Sequence, residues 1–124
     1  MTKLTPQLLE AFNRLVKPLV LTTTATDGTP NSIYASSVAL FEETIVIADN
    51  YFNKTRANIV AGGKASILFI TNDKKAYQLK GRLTYHTSGP VYDDMKKWNM
   101  PQHPGLAAVT MEIEEAYSGA ERLI

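Results

Sequence analysis

A chain of 124 residues, 44% apolar and 20% charged, has the size and balance of one packed domain, taken here as 1–124. Thirteen basic and twelve acidic residues leave a net charge of +1, and the basic clusters at Lys74-Lys75, Lys80/Arg82 and Lys96-Lys97 are small and scattered, which disfavours nucleic-acid binding. The lack of cysteine removes disulfides and thiolate metal sites, no apolar run nears the ~20 residues of a membrane span, and Met1–Pro6 lacks a signal-peptide core, so the expected location is the cytoplasm.

The first predicted element is a helix. Thr5 is its N-cap and Pro6 its first residue, followed by Leu8, Leu9, Phe12, Leu15 and Val16 at helical spacing, with Pro18 as the stop. Its apolar stripe has to cover something, most simply an open end of a β core. The period then changes. Leu19–Ala25 reads as a strand ending at the tight turn Asp27-Gly28. Asn31–Phe41 reads as a second strand, and Glu42-Glu43 turns the chain into a third, Thr44–Asp49. A short helix from about Lys54 to Ala61 ends at Gly62-Gly63. Ala65–Thr71 is a fourth strand.

The fifth strand has the clearest pattern. Tyr77, Leu79, Gly81, Leu83 and Tyr85 alternate with Gln78, Lys80, Arg82, Thr84 and His86, as in a sheet with one buried face. Gly81 on that face predicts a bend or a close approach of another backbone. A helix from about Pro90 to Asn99 carries Val91, Met95 and Trp98 on one side, predicting core packing for Trp98. In the sixth strand Ala107, Val109, Met111 and Ile113 alternate with Thr110, Glu112 and Glu114. Six strands with short turns and no βαβ rhythm predict a mainly β fold, a closed antiparallel barrel with a few short helices. Tyr34, Tyr77 and Tyr85 fit barrel or interface packing.

Chemistry concentrates after the third strand. Asn53 can cap a helix whose first turn is Lys54, Thr55 and Arg56. Basic residues there oppose the helix dipole by roughly 0.3–1 kcal/mol each, and a bound anion would reverse that sign. The stretch suits a phosphate cradle, with Lys54 as charge and Thr55 as donor. On the residues alone an ordinary Asn-capped helix with solvated basic side chains is the simpler reading. His86 and His103 lack metal-ligand spacing, and no nucleophile elbow or nucleotide-binding glycine loop is present.

Asn53-Lys54-Thr55-Arg56-Ala57-Asn58-Ile59, between a third and a fourth strand, resembles the phosphate-binding loop of the FMN-binding split-barrel family. That family includes pyridoxamine 5'-phosphate oxidase and the small bacterial FMN-binding proteins, and the likeness is greatest to the latter. It extends over Pro30–Leu40, Ile45–Ile59, Leu79-x-Gly81 and Thr87-x-Gly89-Pro90. The resemblance implies a six-stranded split barrel and a homodimer with FMN between subunits. It places the phosphate on Lys54 and Thr55 with Asn53 nearby, and the isoalloxazine ring along Ala35-Ser36-Ser37 and Ala48-Asp49-Asn50. It assigns no catalytic side chain, and the chain departs from the oxidase pattern in having Lys54-Thr55 where the oxidase has Arg-Lys. FMN binding is therefore expected and that oxidase activity is not. The functions in competition are a redox-active flavoprotein, an FMN store or sensor without turnover, and a deazaflavin-dependent reductase.

Overall fold

The computed structural model describes residues 2–124. Its elements in chain order are α1 (Pro6–Asn13), β1 (Leu19–Thr24), β2 (Pro30–Ala35), β3 (Val38–Phe41), β4 (Thr44–Asp49), α2 (Lys54–Val60), β5 (Lys64–Ile70), β6 (Ala76–His86), α3 (Pro90–Trp98), β7 (Ala107–Ser118) and β8 (Glu121–Arg122). The strands form one antiparallel sheet in the order β2-β1-β5-β6-β7-β4-β3, with β8 added to β7.

That order closes the architecture. β2 and β3 lie at opposite ends of the hydrogen-bonded path, yet only Ser36 and Ser37 separate them in the chain. The two edges must therefore come together, and the sheet curls into a barrel split at that seam. Ser37 O accepts from Ala48 N at 2.9 Å, which pins the seam to β4, and Ser36 O accepts from Val38 N at 3.0 Å in a tight local turn.

The expected fold class, a mainly β antiparallel split barrel with short helices, is the observed one; the strand count differs. Eight strands replace six because the predicted strand Asn31–Phe41 breaks at Ser36-Ser37 and because Glu121–Arg122 adds a short eighth. The break marks where the chain leaves one edge of the split and enters the other.

The barrel interior is filled by Leu19, Leu21, Ile47, Ile67, Leu79 and Val109, each at most 1% exposed. α1 brings Leu8 and Ala11 into the same cluster, capped by Thr5 Oγ1 accepting from Leu8 N at 3.3 Å. The helix stops at Asn13, earlier than Pro18 requires, because Leu15 and Val16 pair instead with the end of β5. α3 covers the outer face of β4 and β7: Val91 and Met95 pack on Val46, Ala48 and Ala108, with Trp98 partly buried against them. This second layer is why β4 is buried along its whole length while β6 alternates. His86, expected to point outward, is half-buried, and its Nε2 lies 2.7 Å from Thr110 Oγ1. Burial lowers its pKa below the ordinary imidazole value. Among the described residues no helix is long and apolar enough to cross a membrane.

Candidate functional site

A groove of about 450 Å³ opens beside the seam. Its walls come from β2, the Ser36-Ser37 link, the end of β4, the loop into α2 and the loop after α3. Of the nine residues expected at a ligand, eight line it: Ala35, Ser36 and Ser37 on one side, Ala48 and Asn50 on the next, and Asn53, Lys54 and Thr55 at the start of α2. Asp49 is the exception.

Asp49 faces away from the groove and is completely buried. Strand alternation explains this, since Ala48 and Asn50 take the opposite side. Its Oδ2 accepts from Arg56 Nε at 2.7 Å and from Tyr85 Oη at 2.5 Å, and its Oδ1 from Arg56 Nη2 at 3.0 Å and Phe52 N at 2.9 Å. Burial alone would raise its pKa, but the bonds from Arg56, Tyr85 and the Phe52 amide outweigh it and hold the carboxyl below the usual range. The bond to Asp49 pushes Arg56 further up, and burial pushes Tyr85 up as well. Arg56 is thus spoken for. The basic residue that opposed the dipole of α2 in the sequence is an anchor folded back onto β4, and Tyr85 completes the clasp.

Asn50 lines the groove but has no spare bonding capacity. Its Nδ2 donates to Ser37 Oγ at 3.0 Å and to Asn99 Oδ1 at 3.3 Å. Its Oδ1 accepts from Asn99 Nδ2 at 2.8 Å and from Gly105 N at 3.1 Å. A primary amide has two protons and two lone pairs, so this one is saturated. Its work is to tie the seam, the end of α3 and the following loop to β4.

The groups left free for a ligand lie elsewhere. Thr55 is 1% exposed and its Oγ1 accepts from Asn31 Nδ2 at 3.0 Å, which leaves the hydroxyl proton without an acceptor among the described residues. Lys54 is exposed and makes no ion pair among them. Asn53 precedes α2 without a side-chain cap bond, contrary to the expected capping role, because its backbone (φ −132°, ψ −85°) is not that of an N-cap. Ser37 Oγ accepts from Asn50 and keeps its own proton, and Ser36 is exposed. Among the described residues no carboxylate lines the groove, so Lys54 gives it a positive balance.

Sequence reasoning missed several wall residues. Asn31 and Ile33 come from β2, Tyr34 and Tyr51 stand 78% and 70% exposed at the rim, and His103 arrives from the loop after α3. Tyr34 therefore lies outside the barrel packing of this chain, which leaves the interface alternative for it, whereas Tyr77 is buried and stacks on Phe69 at 5.5 Å. Residues at i and i+2 of a strand share a face, so Ile33 could have been found from Ala35. His103 carried no such signal.

The comparisons with known proteins agree with this architecture. The family model described as pyridoxamine 5'-phosphate oxidase matches residues 5–118. An uncharacterized protein of Methanocaldococcus jannaschii is 25% identical over 122 residues, which is 94% of this chain and 80% of that protein. An FMN-binding protein from Syntrophomonas wolfei superposes with a TM-score of 0.75 at 21% identity, over 90% of this chain and 86% of that one. HutZ, the heme storage protein from Vibrio cholerae, superposes with a TM-score of 0.67 at 17% identity, over 94% and 95%. At these identities the two solved structures show a shared fold. With the family match running from the cap of α1 to the end of β7, the chain belongs to the pyridoxamine 5'-phosphate oxidase family.

Proposed function

We propose that the groove holds FMN and that the protein is a redox-active cytoplasmic flavoprotein working as a homodimer. The observation that carries this reading is one groove with a free cation, a buried free hydroxyl and small-residue walls, and, among the described residues, no carboxylate to repel an anion. Lys54 and Thr55, with Asn53 beside them, would take the phosphate as a charge and a donor. Ala35, Ser36, Ser37 and Ala48 would form the flat, close wall that a ring system needs. The groove's volume lies in the range of pockets that enclose a cofactor.

When bound, FMN supplies electron or hydride transfer, and the chain supplies position and electrostatics. Asn50 and Ser37 hold the ring wall rigid against β4. Asp49 contributes no negative charge to the groove, because Arg56 neutralises it on the other side of the strand. Storage of a ligand without turnover is a second reading, favoured by the likeness to a protein named for heme storage. Absorption and mass analysis of the ligand that co-purifies separates FMN from heme and from a deazaflavin.

FMN is expected to bind more tightly than riboflavin, and Lys54→Ala to weaken FMN by about 1.5–3 kcal/mol with riboflavin unchanged. Fluorescence-quenching titrations read both, and equal affinity for the two flavins would remove the phosphate cradle. A dimer is expected in sedimentation, with the exposed rims Tyr34 and Tyr51 and the exposed β5 residues Leu68 and Ile70 as apolar surface to cover. A stable 13.7 kDa monomer that keeps FMN would exclude it.

A further inference from the structure

The loop after α3 is built as a fixed arm. His103 N closes a turn on Met100 O at 2.9 Å, and prolines at 101 and 104 flank it. Lys96 Nζ donates to Pro104 O at 2.9 Å and Gly105 O at 3.2 Å. Gly105 N and Leu106 N bond to Asn50 Oδ1 and Asp49 O, at 3.1 and 2.8 Å. Gly105 has φ +54°, which favours glycine, and a Cβ there would sit 3.0 Å from Asn99 Nδ2 and from Lys96 Nζ, so these side chains close over the arm. What this arm presents to the groove is one side chain, His103.

The imidazole is itself aimed. Its Nδ1 lies 3.1 Å from Tyr51 Oη, and the two rings meet edge to face with centroids 5.6 Å apart. Tyr51 belongs to the segment between β4 and α2, so two loops 52 residues apart meet at this pair. Nε2 has no partner among the described residues. The contact fits either tautomer: with the Tyr51 hydroxyl donating to Nδ1 the imidazole proton sits on Nε2 and makes it a donor, and with the bond reversed Nε2 is an acceptor.

We infer that His103, oriented by Tyr51, is a specificity-determining residue that donates a hydrogen bond from Nε2 to the ring portion of the groove's ligand, separate from the phosphate contacts of Lys54 and Thr55. The inference rests on the flavin reading above. It gives the groove two recognition points on different loops: a charged one for the phosphate and a neutral, directional one for a ring oxygen or nitrogen. Tyr51 acts through His103 and is a positioning residue.

Riboflavin separates the two, because it has the ring and lacks the phosphate. Wild type, His103→Ala, His103→Gln and Tyr51→Phe are titrated with FMN and with riboflavin, and the midpoint potential of the bound flavin is measured for each. His103→Ala is expected to weaken both flavins about tenfold and by the same factor. It should also shift the potential, because a donor on the ring changes its electronics. His103→Gln, which keeps a donor, should restore affinity to within about threefold, and Tyr51→Phe should fall between. Unchanged riboflavin affinity and potential in His103→Ala overturn the inference, as does a loss confined to FMN, which would put His103 on the phosphate. Equal losses in the Ala and Gln variants also overturn it, because packing rather than donation would then be at work. Wild type that binds neither flavin overturns the flavin reading, and the inference falls with it.

Discussion

Gly81→Ala is expected to destabilise the fold by more than about 3 kcal/mol, the largest effect of a methyl added at any of its glycines. Gly81 lies on the inward face of β6, where the alternating pattern calls for a large apolar residue. A Cβ built there runs into the carbonyl oxygen of Glu112, and it comes within 2.9 Å of that carbonyl carbon and 3.3 Å of Glu114 N. These are backbone atoms of β7, so no rotamer change relieves the overlap. The register explains the crowding: Lys80 pairs with Glu115 and Gly81 with Ile113, so Glu114 is an extra residue that bulges toward β6. Adding the methyl has to pry apart the ladder that joins the two longest strands of the sheet. Gly28→Ala is the contrasting variant. Nothing lies within 4 Å of its Cβ, and only the positive φ of 87° opposes it, at a cost of about 1–2 kcal/mol. Urea denaturation of both compares steric with torsional cost. A wild-type midpoint in Gly81→Ala would show that the bulge gives way freely.

That bulge was half legible in the sequence. A glycine at a core-facing strand position announces close approach, and β6 and its neighbours follow from period-two alternation because one face is wet. β4 and the first half of β7 do not alternate cleanly, because α3 dries their outer face, and a second layer leaves no trace in the strand pattern itself. The break of Asn31–Phe41 was invisible for a different reason. No glycine or proline marks Ser36-Ser37; the interruption comes from the path of the curled sheet, which is a property of all strands together. The groove was largely legible, because its walls at the seam and before α2 are local in sequence. His103 was not, since its placement depends on the Asn50–Asn99–Gly105 amide contacts across some fifty residues. Asp49 was assigned to the wrong side of its strand because its neighbours on both sides do line the groove. Its partner Arg56 lies beyond a loop, seven residues on, where neither helical nor strand spacing pairs them.

Asp49→Asn is expected to cost about 2–4 kcal/mol at pH 7, and that cost is expected to shrink in acid. The substitution leaves the shape almost unchanged. It removes the charge and replaces one acceptor oxygen with a donor facing Arg56 and Tyr85, which already donate to it. The Asp49 side chain is fully enclosed, so the loss is not screened at that end, while Arg56 is 34% exposed and recovers part of its solvation. The pH dependence follows from the direction of the shift. The folded pKa of Asp49 lies below the ordinary value, so the native state holds its proton less tightly than the unfolded chain. The stabilisation is therefore complete above the unfolded pKa near 4 and is lost as pH falls through the lower folded pKa. Protonated aspartic acid resembles asparagine here, since both are neutral and both carry a donor where the carboxylate had an acceptor. Wild type should approach the variant at low pH, and the gap between their urea midpoints, wide at pH 7 and pH 5, should narrow by pH 3. A gap that stays constant to pH 3 would mean that shape rather than charge holds the clasp. The same clasp fixes the Phe52 amide and Arg56 on either side of Lys54 and Thr55. Loosening it should therefore weaken FMN more than riboflavin, even though Asp49 itself lies outside the groove.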